Sequence, residues 1–174
     1  FPKDTLALIK TAQDYGTPSR IVETVAAVND QRKRAMGRKV VAACGGTVRA
    51  KTIAVLGLTF KPNTDDMRDA PSLALIQTLE DAGATIRAFD PEGHEQAKPL
   101  LPNVAFASDA YAVAEGADAL VIVTEWNAFR ALDLKRIADL LNSPVLVDLR
   151  NIYPPEEVRR AGLTYTGIGR AEGE

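Results

Sequence analysis

Along the chain the spacing of apolar positions changes once, near residue 50, and that change divides the molecule in two. Before it, apolar residues recur three and four apart. Leu6, Ile9 and Ala12 form one face of a first helix, Asp4 stands ahead of that face as an N-cap, and Gly16 closes it. After Thr17 and Pro18, with the proline suited to a first turn, Ile21, Val22, Val25, Val28, Met36 and Val40 keep helical spacing until Gly45 and Gly46 end the run. About 26 residues at roughly 1.5 Å each would span on the order of 39 Å, more than one small domain requires. A helix of that length links two domains or packs against a copy of itself.

From Lys51 onward, short apolar runs alternate with amphipathic segments. Strands are predicted at Thr52 to Leu58, Ile86 to Phe89, Val104 to Ala107, Ala119 to Thr124, Pro144 to Leu149 and Leu163 to Ile168. Between them lie helices: one opened by Pro71 and closed by Gly83, one from Ala110 to Gly116, one from Leu132 to Leu141, and one from Pro154-Pro155 to Gly162. Runs that are apolar at every position suit a sheet buried on both faces. The predicted fold is therefore α/β: a helical dimerisation segment (1–46), then a Rossmann-like, doubly wound, mostly parallel sheet (51–170) with right-handed crossovers. The boundary falls at the Gly45 to Ala50 turn.

The densest candidate chemistry follows the first strand. At Gly57 the apolar run gives way to a polar loop carrying Lys61 and Arg68 as cations and Asn63, Thr64, Asp65, Asp66 and Asp69 as acceptors. In open α/β sheets, ligands bind at the carboxyl ends of strands, where this loop must lie. A dinucleotide fingerprint would read Gly-x-Gly-x-x-Gly here, but Gly57 is followed by Leu58, Thr59 and Phe60, so side chains would have to recognise any phosphate. Lys61 and Arg68 suit that task. Equally, they can pair with the neighbouring aspartates and only shape the loop. Asp90, Thr124 to Asn127, and Asp148 with Arg150, Asn151 and Tyr153 end other strands on the same predicted edge, with Trp126 expected to pack rather than bind. Asp90 holds the place of a ribose-binding acid, yet without the glycine fingerprint.

Charge and cysteine usage narrow the picture further. With 21 basic and 23 acidic side chains in 174 residues, nothing points to nucleic acid, and Gln31 to Arg34 read as a solvated helix face. No stretch is apolar enough to span a membrane. Cys44, the single cysteine, excludes an internal disulfide, fits a reducing cytoplasm, and reads as a packing residue. His94 lacks metal-ligand spacing and reads as a surface histidine, so no metal site is expected.

Three motifs in order carry a resemblance: Phe1-Pro-Lys-Asp4, then Gly57-Leu-Thr-Phe-Lys-Pro-Asn-Thr-Asp-Asp-Met-Arg68, then Val147-Asp-Leu-Arg-Asn-Ile-Tyr153. Together they resemble the UDP-glucose/GDP-mannose dehydrogenase family, in detail its branch acting on UDP-glucose. The resemblance implies a two-step oxidation of UDP-glucose to UDP-glucuronate that consumes two NAD and passes through a cysteine thioester. It implies an NAD-binding domain absent from this chain, a homodimer built on the long helix, and a UDP-sugar site in the α/β domain. The nucleophilic cysteine would stand immediately before Phe1, so the chain is expected to be the back part of a longer polypeptide, inactive alone. By the same matching, Asp4 assists the water that hydrolyses the thioester, Lys3 and Arg68 reach NAD, and Phe60, Lys61 and Arg150 contact the UDP-sugar. The alternatives are a sister enzyme acting on GDP-mannose or a UDP-N-acetyl sugar, or a non-catalytic nucleotide-sugar-binding or dimerisation module.

Overall fold

The computed structural model describes residues 2–170. Two helices, α1 (Pro2–Asp14) and α2 (Arg20–Ala43), precede a sheet of β1 (Thr52–Leu56), β2 (Thr85–Phe89), β3 (Ala105–Phe106), β4 (Ala119–Ile122), β5 (Val145–Asp148) and β6 (Thr164–Gly167). The strand order is β3-β2-β1-β4-β5-β6, and every pairing is parallel. This is the doubly wound order in which the chain reverses direction across the sheet between β1 and β4.

Period-two alternation sorts the strand residues onto two apolar faces. Ile53, Val55, Val121 and Val147 face α2, α3 (Pro71–Asp81) and α4 (His94–Ala97). Ala54, Leu56, Leu120, Ile122 and Leu146 face α5 (Ala110–Ala114), α6 (Asn127–Arg130), α7 (Leu134–Leu140) and α8 (Pro155–Arg160). Burial on both sides is why the strands read as unbroken apolar runs rather than alternating ones.

The 24 residues of α2 span about 36 Å. Its last turns belong to the sheet's core, where Val40 and Cys44 share a buried cluster with Ile53, Val55 and Leu75. A Cβ on Gly37 would meet Thr78 Cγ2 at 2.5 Å, so α2 and α3 approach through a glycine that leaves no room for a side chain. The opposite end of α2 exposes Ile21, Val25 and Val28. No helix among the described residues is long and apolar enough to cross a membrane.

Several local expectations are corrected. Asp4 lies inside the first turn of α1 rather than capping it. Pro18 precedes α2, whose N-cap is Ser19. The connection after β2 and the segment after Trp126 each hold a four-residue helix, α4 and α6. His94 is not a free surface group: it opens α4, accepts from the Asp90 N–H at 3.2 Å, and stands edge-on to Phe89 and Phe106.

Candidate functional site

The carboxyl ends of β1 and β4 flank the reversal point, and the loop over residues 57–70 rises from it. Its base is fixed by Asp90, which is 1% exposed. Asp90 Oδ2 accepts from the N–H groups of Leu58 (2.6 Å) and Thr59 (3.1 Å), the Thr59 hydroxyl (3.2 Å) and Trp126 Nε1 (3.1 Å). Oδ1 accepts from the N–H groups of Glu92 (3.0 Å) and Gly93 (2.8 Å). Burial pushes this carboxyl upward in pKa, but the donated backbone N–H groups outweigh burial and hold it below its ordinary value. With both oxygens occupied, Asp90 is not a ribose acceptor; it is the clamp on the β1 loop. Thr124 completes the base, its hydroxyl donating to the Thr59 carbonyl at 2.8 Å.

Close approach also governs the turn at the end of β1. Gly57 has φ +88°, and a Cβ there would lie 2.5 Å from Thr124 Cβ and 2.6 Å from its backbone nitrogen. The glycine serves the close approach of β1 and β4. Leu58, Thr59 and Phe60 follow it with side chains where a dinucleotide fingerprint would place bare backbone.

Above the fixed base, the Phe60 N–H donates to the Asp66 carbonyl at 2.8 Å and closes the loop on itself. Phe60 is 38% exposed, and Lys61 is exposed with no ion pair among the described residues. Arg68 behaves differently: its Nε (2.9 Å) and Nη2 (2.7 Å) both donate to Asp66. That fork, the Arg68 N–H and the nearby Lys3 charge lower the Asp66 pKa to about 2. So of the two cations suspected of merely shaping the loop, Arg68 does pair with a neighbouring aspartate and Lys61 does not. Lys3, exposed and close enough for its charge to act on Asp66, brings the first turn of α1 to the same rim, while Asp4 is exposed and outside the cleft lining.

Arg150 is positioned from both sides. The buried Asp148 accepts its N–H at 3.0 Å, and Glu125 holds its guanidinium through Nε (2.5 Å) and Nη2 (2.7 Å). Burial raises the Glu125 pKa, yet this fork wins and lowers it overall. The turn after Arg150 is locked by Asn151 at φ +53°, whose amide side chain bonds both the N–H and the carbonyl of Ile168 at 2.9 Å. Burial, aided by the Asp148 charge, pushes the Tyr165 phenol up to about 12, so it remains a donor beside Asp148.

Arg150 lines a cleft of about 750 Å³ between the helical pair and the sheet edge, within the size range of small-molecule sites. Pro2, Leu6 and Met36 face Pro71, Val123 and Ile168 across it. Phe60 and Lys61 stand outside this lining. Arg32 and Lys33 of α2 are part of it, so the segment read as a solvated face is one only in part. Among the described residues no group of His, Cys, Asp and Glu is placed to hold a metal.

The sequence reading missed three residues: Asp90 as a clamp, Glu125 as the partner of Arg150, and Lys33 in the cleft. Asp90-Pro91-Glu92-Gly93 is a recognisable turn in which an aspartate accepts from the N–H groups two and three residues on. Lys33 lies seven residues before the buried Val40 and so on the same helix face. Glu125 gave no comparable signal.

Residues 54–155 match the UDP binding domain of the UDP-glucose/GDP-mannose dehydrogenase family. Over 172 residues, 99% of this chain and 39% of the relative, the chain is 61% identical to a UDP-glucose 6-dehydrogenase of Rhizobium meliloti. It is 39% identical over 98% of its length to a Bacillus subtilis enzyme of the same name, covering 37% of that relative. The solved UDP-glucose dehydrogenase of Pyrobaculum islandicum superposes with a TM-score of 0.81 at 30% identity, over 98% of this chain and 37% of that one. The chain thus spans about two-fifths of the length of the curated relatives it matches. With a Rossmann-order sheet buried on both faces and a side-chain-built polar loop along the matched span, the chain belongs to the UDP-glucose/GDP-mannose dehydrogenase family.

Proposed function

We propose that this chain is the nucleotide-sugar-binding part of a cytoplasmic, NAD-dependent UDP-glucose 6-dehydrogenase, which oxidises UDP-glucose to UDP-glucuronate through a cysteine thioester. The observation that carries the reading is Lys61: an exposed cation with no ion pair among the described residues, carried on a loop whose base is immobilised by Asp90. A preorganised ammonium meets a phosphate without first giving up an acidic partner. Phe60 beside it offers a partly exposed ring to the base or sugar, and Arg150 presents the guanidinium N–H groups that Glu125 leaves free.

NAD, held by a domain outside this chain, accepts the hydrides. Lys3 and Arg68 stand on the rim around Asp66, where they would reach its phosphates. Asp4, exposed in the first turn of α1, assists the water that hydrolyses the thioester. Homodimerisation uses the helical pair, where Ile21 (80% exposed), Val28 (55%) and Val25 (50%) of α2 form an apolar surface needing cover.

Lys61→Ala in the native-length protein is expected to weaken UDP-glucose binding by roughly tenfold or more, as loss of a charged hydrogen bond does, while the dimer mass stays the same. Unchanged affinity by calorimetry would remove Lys61 from the site. Asp4→Asn is expected to slow thioester hydrolysis by about a hundredfold, the scale of general-base assistance, and to leave the first oxidation nearly intact. Equal loss in both steps under single-turnover conditions would count against that role.

A further inference from the structure

The inward face of α2 changes character halfway along. Gly37 and Val40 pack it against α3 and the sheet core. One turn nearer the N-terminus, where continued packing would call for another apolar residue, the same face carries Lys33. Lys33 is half-buried and lines the cleft opposite Arg150. No acidic group pairs with it among the described residues, although its neighbour Arg34 pairs with Asp30 at 3.1 Å.

A cation that lines a partly enclosed cleft without an ion pair can meet a bound anion without first giving up an acidic partner. The other charges around the cleft do not supply that partner. Of the two acids in the lining, Asp30 is taken by Arg34 and Asp69 makes no ion pair among the described residues, while Arg150 is neutralised by Glu125. Most of the remaining wall is apolar, with Pro2, Leu6, Met36, Val123, Leu149 and Ile168 beside the polar Thr5 and Asn29. Such a cleft suits an amphipathic ligand that places a ring against apolar walls and a phosphate against one cation.

We infer that Lys33 is a further ligand-contact residue, which carries a phosphate of the nucleotide sugar from the long helix while Arg150 reads the uncharged part. The inference rests on the proposed nucleotide-sugar function. It divides the work inside the cleft between two elements: the turn after β5 supplies a charge-cancelled fork for neutral acceptors, and α2 supplies a cation in addition to Lys61 on the loop. Because α2 also bears the exposed apolar surface, ligand binding and subunit contact share one rigid helix.

The test uses the native-length protein, with UDP and uridine as probes in titration calorimetry. Lys33→Met keeps the length of the side chain and removes its charge. It is expected to weaken UDP by roughly tenfold to a hundredfold, to leave uridine unchanged, and to preserve the dimer mass. Lys33→Arg, which keeps the charge, is expected to retain most of the UDP affinity. Equal UDP affinity in wild type and Lys33→Met overturns the assignment of Lys33 alone. A loss confined to NAD also overturns it and moves Lys33 to the cofactor side. Wild-type protein that binds neither UDP nor UDP-glucose overturns the nucleotide-sugar reading itself, a result distinct from either of these.

Discussion

Asp90→Asn is expected to lower the unfolding free energy by about 3 kcal/mol or more, because no placement of an amide satisfies the donors now served by two carboxylate oxygens. Oδ2 accepts from Leu58, Thr59 and Trp126, and Oδ1 from Glu92 and Gly93. Turning the NH2 group toward either set opposes donor to donor in a site closed to water. The sign of the pH dependence follows from the depressed pKa of Asp90. Its contribution is fully present above the unfolded value of about 3.9 and is lost as pH falls through the lower folded value. Urea unfolding of wild type from pH 6 downward should therefore show stability falling below roughly pH 4, with a smaller acid slope in Asp90→Asn. Equal slopes, or a loss of only a few tenths of a kcal/mol, would mean that Asp90 is replaceable and the loop is held by other contacts. Since Phe60 and Lys61 ride on the clamped segment, UDP-glucose affinity should fall along with stability.

The fold was legible because its signals are local and repeated. Two faces of β1 and β4 buried under helices require unbroken apolar runs, and Pro71, Gly83, Pro155 and Gly162 mark helix ends by backbone chemistry alone. The long helix was legible through its spacing, although which of its residues face the sheet depends on Gly37 meeting Thr78, a contact between elements that no periodicity encodes. The candidate site was legible as a set of strand-end loops but not as a set of partnerships. Nothing in the one-dimensional order couples Asp90 to Leu58 or Glu125 to Arg150, since those pairs form only when β1 lies between β2 and β4 and β4 beside β5. The acid at the end of β2 shows the consequence. Its position resembles that of a ribose-binding group, and its partners make it a structural clamp.

Gly57→Ala is expected to cost about 2–4 kcal/mol, and comparison with Gly162→Ala separates the two reasons for that cost. Both glycines have positive φ, +88° and +91°, so an alanine at either pays the strain of an unfavoured backbone region, on the order of 1 kcal/mol. Around Gly162 there is nothing within 4 Å for a methyl group to meet. At Gly57 the added Cβ would sit 2.6 Å from the backbone nitrogen of Thr124 and 2.9 Å from its Cα, atoms that cannot swing aside. Relief requires β1 and β4 to separate at their carboxyl ends, which strains the 2.8 Å bond from the Val123 N–H to the Leu56 carbonyl and the Thr124 hydroxyl bond to Thr59. Denaturant unfolding should place Gly162→Ala near 1 kcal/mol and Gly57→Ala well beyond it, with the added loss reflected in weaker UDP-glucose binding. Equal destabilisation would mean that backbone conformation alone demands glycine at 57 and that the reversal point has room to spare. The larger loss at 57 would instead establish that the close approach of β1 and β4 demands glycine there over and above its backbone conformation, and that the loop's footing depends on that approach.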